Sequence, residues 1–394
     1  MARFLIGWEL GASPDLLLDA ADIAYALIDR GHEVRIAVGD PVNLATVLDV
    51  RLADSILPAP VPPLRPDLVM KPPKEGGITD KFVVQGFGSP AVLSALAITW
   101  RNLIAAVSPA VVISLGAPVL SFAARGHTRL LVAGSCETLP PFDTELLPRL
   151  HANIAPTMED TQLLQNANLV ARTIGAAVVA SPAELLRGDD NVVYGLAQFD
   201  PYVALRRTPP CGPLAALPSP VVPAARPAAT AILDVYFPGI ETLLLALTDF
   251  GRTPVHVYIR GLTRHMHAYL AQSPAVVVHA SLAEALATAA EATYVLHHAT
   301  ARTAALCLGL GVPQILLPFT VEQNAVADML QRMNAGFRLQ MGTDPTAIAD
   351  TLLHLFRNLD MVQNAQHAAR QLALDPPTAA IPKIVRALEN LATG

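Results

Sequence analysis

The chain has 394 residues, a formal net charge of −6, 52% hydrophobic residues and only 15% charged ones. Soluble domains average about 25% charged, so the mean hydropathy of +0.41 raises a membrane protein as a candidate. The longest apolar stretch, 91–124, is broken by Trp100-Arg101-Asn102, Ser108-Pro109 and Gly116, and no transmembrane segment is predicted. An acidic balance without a basic cluster argues against nucleic acid as a partner, and the length predicts two domains. MARFLIGW runs straight into a strand with no signal-peptide pattern. Cys136, Cys211 and Cys307 are isolated and odd in number, which reads as reduced thiols. Together these predict a cytoplasmic protein.

In chain order, Arg3–Trp8 reads as an apolar strand and 11–14 as a turn. Residues 15–30 have helical spacing through Leu16, Ile23, Ala24 and Leu27, with Gly31 as the stop. Glu33–Val38 is the second strand. The stretch 58–73 is too rich in proline for either element and is expected as a surface loop. A helix over 92–107 and strands over 110–114 and 129–133 continue the alternation, which predicts a parallel sheet covered on both faces.

Residues 206–227 contain seven prolines in twenty-two residues, a stiff extended connection and the best domain boundary in the chain. Beyond it, strands are expected at 231–236, Val255–Ile259, 275–278, 292–296 and 314–317, with helices between them. The predicted plan is a domain over 1–205, a linker over 206–230, a domain over 231–378, and an amphipathic helix within 379–394 that crosses back to the first domain. Two doubly wound α/β domains of this kind face a cleft, with ligands at the carboxyl ends of the strands.

Residues 294–323, YVLHHATARTAALCLGLGVPQILLPFTVEQ, carry the densest chemistry. A buried strand leads through paired histidines into a small-residue helix. A Gly-Val-Pro break, a second strand and Glu322-Gln323 follow. A helix opening directly after a buried strand presents N–H groups and a positive dipole end to an anion such as a diphosphate, and the acid-amide pair can read sugar hydroxyls. His265, His267, His279, His297 and His298 lack any acid or cysteine at a ligand spacing, so no metal is expected. His32 reads as a turn residue, and Gly7 with Gly11 is too sparse for a dinucleotide fingerprint.

Three separated motifs resemble the GT-B glycosyltransferases, specifically the bacterial relatives of the UDP-glycosyl/glucuronosyl and macrolide transferases. They are GWELGASPDLLLDAADIAYALIDRGHEV, the segment YGLAQFDPY with the following CGPL, and HHATARTAALCLGLGVPQILLPFTVEQ. The resemblance implies two Rossmann-like domains, 1–205 on the acceptor side and 231–378 binding the nucleotide sugar. It implies transfer of a sugar from a UDP- or TDP-linked donor to a small, rather apolar acceptor, with inversion and without metal or other cofactor. His298 becomes the motif histidine, Thr303 the phosphate-binding hydroxyl, and Glu322 and Gln323 the sugar readers. Thr300 and Arg302 border the diphosphate; Glu9 and Ser13 lie on the acceptor side, with Glu9 at the end of its strand read as a structural hydrogen-bonding residue.

The chain departs from this pattern at several positions. The family's basic histidine falls on Leu16, which cannot accept a proton. Asp15 beside it is read as a substitute base or as an acid offsetting the helix dipole, and Asp19 lies one turn further. An Asp-His pair near the acceptor is replaced within Ser114-Leu115-Gly116-Ala117-Pro118. Ala299 and Thr300 replace paired glycines, and Arg302 replaces the next. Arg302 reads as a charged fork to the diphosphate or as a solvated arginine. Glu322-Gln323 reads as a sugar contact or as a capped helix start. An active transferase is the first reading and a non-catalytic nucleotide-binding or partner-activating relative is the second. A third, peripheral contact with a membrane surface, rests on the low charge content.

Overall fold

A computed structural model describes residues 1–9, 14–39, 50–62, 76–151, 153–221, 229–233, 254–340 and 344–394, with positions 41, 240, 242, 243 and 246. The chain divides into two compact units, residues 1–215 with 379–394, and residues 216–378.

The first unit is built on six strands, β1 (Arg3–Trp8), β2 (Glu33–Val38), β3 (Ile56–Pro58), β4 (Val111–Leu115), β5 (Arg129–Ser135) and β6 (Asp190–Tyr194). Their order is β3-β2-β1-β4-β5-β6, parallel throughout. The chain therefore winds outward from β1, returns to the centre and winds the other way. Its topological switch point lies between β1 and β4. Alternation along each strand divides the core. Leu5 and Val112 face one cluster with Trp100 and Phe122, while Phe4, Ile6 and Ile113 face another with Leu17, Ile23 and Leu27.

Helices α1 (Pro14–Ile28), α2 (Ile78–Phe82), α3 (Pro90–Val107), α4 (Pro118–Ala124) and α5 (Asp160–Ile174) cover this sheet. Proline opens α3 and α4 where no intrahelical N–H bond is lost. By length and composition α3 passes for a membrane span, a test that the sequence reading set aside on its Trp100-Arg101-Asn102 break. It packs Leu93, Leu96, Trp100 and Ile104 into the core, and Arg101 donates to the carbonyls of Ala123 and Ile174.

The second unit repeats the plan with β7 (Ala229–Leu233), β8 (Val255–Ile259), β9 (Val276–Val278), β10 (Tyr294–His297), β11 (Gln314–Leu316) and β12 (Gly336–Arg338). Their order is β12-β11-β10-β7-β8-β9, also parallel, with the switch point between β7 and β10. Helices α6 (Arg264–Leu270), α7 (Leu282–Thr288), α8 (Ala301–Leu310), α9 (Val321–Arg332), α10 (Pro345–Phe356) and α11 (Leu359–Leu374) accompany the strands. A last helix, α12 (Ile381–Thr393), belongs to the first unit and buries Ile384, Val385 and Leu388 in the cluster around α1.

Several expected boundaries move. Ala229 and Thr230, placed in the linker, begin β7 because they pair with Tyr294 and Val295 of β10. Strand β9 begins at Val276, and β10 at Tyr294 rather than 292. The start of the stretch read as a loop, Pro58, ends β3 against Val38; residues 63–75 lie outside the described set. The proline-rich connection is not a free tether. Cys211 and Gly212 bond the backbone of Val193 and Gly195, whereas Val221 donates to Leu310 at the end of α8.

Candidate functional site

In an open parallel sheet, ligands gather outside the carboxyl ends of the strands at the switch point. In the first unit that point carries Glu9. Its Oε1 accepts from Leu120 N at 2.8 Å and its Oε2 from Val119 N at 3.0 Å. Both donors open α4, where the helix itself supplies no acceptor. Glu9 thus ties β1 to the turn after β4, and its two oxygens serve the backbone. Burial drives the carboxyl up to about 8, against those two N–H donors, which pull it down.

A carboxyl raised from 4.5 to about 8 keeps its proton longer in the folded chain than in the unfolded one. Its contribution to stability is complete below about 4.5 and is lost as pH rises to about 8. Glu9→Gln is expected to remove this fall, which reaches at most about 1.4 kcal/mol per pH unit. Urea transitions followed by fluorescence check it, since both tryptophans, Trp8 and Trp100, are buried in this unit. Parallel pH dependences for the two proteins would refute it.

Asp15 and Leu16 occupy the first turn of α1; their side chains, and Ser13, lie outside the described residues. Asp19 is buried and accepts from Tyr194 Oη at 2.9 Å, joining α1 to β6. Ser114 closes its own turn, donating to Ala117 O at 3.0 Å and accepting from Ala117 N at 3.3 Å.

Beside this turn, at the carboxyl ends of β4 and β5, is a small hollow of about 30 Å³ that opens to solvent. Its walls are mainly apolar, among them Ile78, Phe82 and Leu186, with Ser114, Ser121 and Thr138 as hydroxyl groups. Behind Thr138 lies a polar cluster that sequence reasoning missed. Ser135 Oγ donates to Glu137 Oε1 at 2.6 Å and lies 2.8 Å from Thr138 Oγ1. Ser135 and Glu137 are buried. The available signal was the run Ser-Cys-Glu-Thr directly after an apolar strand.

In the second unit the switch-point turn follows β10. The buried His297 ring accepts from Ala299 N on Nδ1 at 3.0 Å, so its proton sits on Nε2 and is donated to Gln314 Oε1 at 2.9 Å. Gln314 Nε2 donates in turn to Ala304 O at 3.2 Å. Burial lowers the His297 pKa to about 4, which holds the ring neutral. His298 is buried as well, donates from Nδ1 to Leu317 O at 2.8 Å and meets the Phe319 ring edge-on at 5.0 Å.

Between these histidines and α8, Ala299 takes φ 59°, the left-handed region that favours glycine. An alanine here therefore takes a glycine-like conformation, held by its bond to His297. Thr300 begins α8 without a side-chain cap on the helix. Arg302 is half-buried in the first turn and Thr303 is buried one position on. Gly311 ends the helix at φ 76°, where the Gly-Val-Pro break was expected. Ala299→Gly is expected to be neutral or to stabilise by up to about 1 kcal/mol, relieved strain competing with the greater freedom of unfolded glycine. Denaturant midpoints check this; a loss above about 1 kcal/mol would contradict it.

Glu322 is half-buried in the first turn of α9. Gln323 completes a capping box: Thr320 Oγ1 accepts from Gln323 N at 3.2 Å, and Gln323 Oε1 accepts from Phe319 N at 2.8 Å and Thr320 N at 3.1 Å. Its oxygen is thus engaged in starting the helix. The remaining histidines do not join this turn. His265 and His267 lie on α6, while His279 pairs with His256 at 3.0 Å.

No protein-family model matches the sequence, and no curated protein matches it either. Solved structures do. The spinosyn rhamnosyltransferase SpnG, also solved with thymidine diphosphate, aligns over 99% of this chain and 100% of its own, with a TM-score of 0.65 at 16% identity. The glycosyltransferase VinC in complex with DTDP aligns over 99% of both chains, at 0.64 and 14%. SnogD from Streptomyces nogalater aligns over 98% of this chain and 99% of its own, at 0.58 and 18%. The fold is GT-B. In GT-B terms the Ala299 turn and α8 stand at the switch point of the second Rossmann-like unit. Glu9 and the Ser114 turn stand at that of the first.

Proposed function

We propose that this GT-B protein transfers a sugar from a nucleoside diphosphate donor to a hydroxyl of a small, rather apolar acceptor. The turn after β10 carries the reading: at the switch point, a left-handed residue leads into the N-terminus of α8 without a side-chain cap. Such a terminus favours an anion through its N–H groups and dipole. Arg302 and the Thr303 hydroxyl lie in the same turn, and a leaving diphosphate gains charge that preorganised donors stabilise. That charge is met by protein groups, so the reading needs no metal, and UDP- or TDP-linked sugars are the donor class. Glu322, at the mouth of β11, is the sugar contact, and inversion at the anomeric carbon follows from a single displacement.

Calorimetric titration with thymidine and uridine diphosphates tests the site. Thr303→Val is expected to weaken binding by about tenfold, the loss of one hydrogen bond to a charged group. Equal affinities would remove Thr303 from the diphosphate site. Absence of binding in the unaltered chain would overturn the reading. The departures at Leu16 and Arg302 favour a second reading, a nucleotide-binding relative without turnover. It would give tight binding with no consumption of any sugar donor.

A further inference from the structure

The turn before α8 is held from behind by a chain of hydrogen bonds. Ala299 N donates to His297 Nδ1 at 3.0 Å, His297 Nε2 to Gln314 Oε1 at 2.9 Å, and Gln314 Nε2 to Ala304 O at 3.2 Å. The chain starts at the left-handed residue and ends on the backbone of α8, so turn and helix are tied together through the first residue of β11. All four residues are buried. Both nitrogens of His297 are engaged, so the ring reaches a ligand only through the turn. This arrangement depends on a neutral ring. An imidazolium carries N–H on both nitrogens, and its Nδ1–H would face Ala299 N–H. Gln314 suits the neutral form, because an amide accepts from Nε2 without the negative charge that would draw a second proton onto the ring. Beside the ring, β7 and β11 present the uncharged Ile232 and Leu316. The titratable or charged groups on the flanking segments are His298, which opposes a proton on the ring, and Arg302 and Glu322 in the first turns of α8 and α9.

We infer that His297 and Gln314 are positioning residues for a nucleoside diphosphate, acting through Ala299 and the first turn of α8. The inference rests on the proposal that this turn binds the diphosphate. With the ring neutral, Ala299 keeps φ 59° and the N–H groups that open α8 keep the directions an anion needs. A proton on Nδ1 turns the Ala299 amide away, and the alanine loses the bond that offsets its unfavourable conformation. Diphosphate affinity therefore follows the state of a ring that never touches the ligand.

The test is calorimetry of the full chain with thymidine diphosphate. Each variant is read as a ratio to the unaltered protein at the same pH, so that the titration of the nucleotide cancels. Gln314→Glu sets a carboxylate against His297 Nε2 and brings the second proton onto the ring near neutral pH. Its affinity ratio is expected to fall about tenfold from about pH 8.5 to about pH 6, the loss of one backbone hydrogen bond to a charged ligand. The missing donor to Ala304 O lowers the ratio equally at every pH. Adding Ala299→Gly should remove most of the fall, because glycine holds the left-handed conformation without the bond. A role in general stability alone gives no pH-dependent fall that glycine removes. A flat ratio, or a fall that glycine leaves intact, overturns the inference and leaves the diphosphate reading standing. Should Gln314→Glu not fold, the unaltered chain is compared with Ala299→Gly from about pH 6 to about pH 4, the range in which the buried ring itself titrates. Glycine is then expected to retain affinity that the unaltered chain loses, and equal losses overturn the inference. No binding by the unaltered chain at neutral pH overturns the diphosphate reading and this inference with it.

Discussion

Acidification from pH 6.5 to about 4 is expected to destabilise residues 216–378 by up to about 3 kcal/mol through His297 alone. Desolvation lowers the folded pKa of this ring from 6.5 to about 4. Its stabilising contribution is therefore complete above 6.5 and is lost as pH falls through about 4, because the unfolded chain binds the proton first. The loss reaches the turn directly. A protonated ring cannot accept from Ala299 N, and that bond holds the left-handed residue before α8. His297→Asn removes the titrating group while keeping an oxygen near the Nδ1 position. It should abolish the acid loss but cost about 1–3 kcal/mol at neutral pH, since Gln314 Oε1 loses its donor. Hydrogen exchange of the amides in β10 and β11 measures this unit separately, whereas both tryptophans report on the other. An acid loss of equal size in His297→Asn would contradict the assignment.

Arg206→Ala is expected to cost about 3–5 kcal/mol, because it strands a buried carboxylate. Arg206 Nε meets Asp200 Oδ2 at 2.6 Å, with side chains 5% and 1% exposed. The same guanidinium donates to the carbonyls of Cys136 at 2.8 Å and Leu139 at 2.9 Å, and so also fixes the chain after β5. Removing both charges, as in Arg206→Met with Asp200→Leu, should recover much of the loss, since a buried pair contributes little beyond an apolar replacement of similar volume. Arg206→Lys should recover less, because an ammonium cannot span the carboxylate and two carbonyls. Urea transitions followed by tryptophan fluorescence give all three values. A loss below about 1 kcal/mol for Arg206→Ala would place the pair among weak surface bridges.

That arginine also shows how far the sequence was legible. Read locally, it begins the proline-rich linker; in the fold it is a core anchor, because its partner Asp200 lies six residues upstream in a turn with no periodic signal. Strands made of continuous apolar residues, such as Arg3–Trp8 and Val111–Leu115, could be read to within a residue or two, since burial on both faces dictates their composition. Strand β6, Asp-Asn-Val-Val-Tyr, escaped because an edge position leaves its first residues in water. Helix α5 escaped because its apolar positions are sparse among polar ones.

The candidate site divides in the same way. Spacing from Gly311-Val312-Pro313 located the His298–Thr303 turn, because strand, turn and helix follow one another in the chain. Spacing could not show which histidine supports the backbone, since His297 is defined by Gln314 on the neighbouring strand, seventeen residues away. Nor could it show that Gln323 Oε1 would close the capping box of α9. The Ser135–Glu137–Thr138 cluster was local enough to be found, but the hollow beside it is assembled from distant segments.

The most direct test of the transferase reading is release of nucleoside diphosphate from UDP- and TDP-linked sugars, with the glycosylated acceptor identified by mass. The account predicts release that depends on a small hydroxyl-bearing acceptor and falls by about tenfold in Thr303→Val. Donor left intact across a broad panel of sugars and apolar alcohols, by a chain that still binds thymidine or uridine diphosphate, would contradict it.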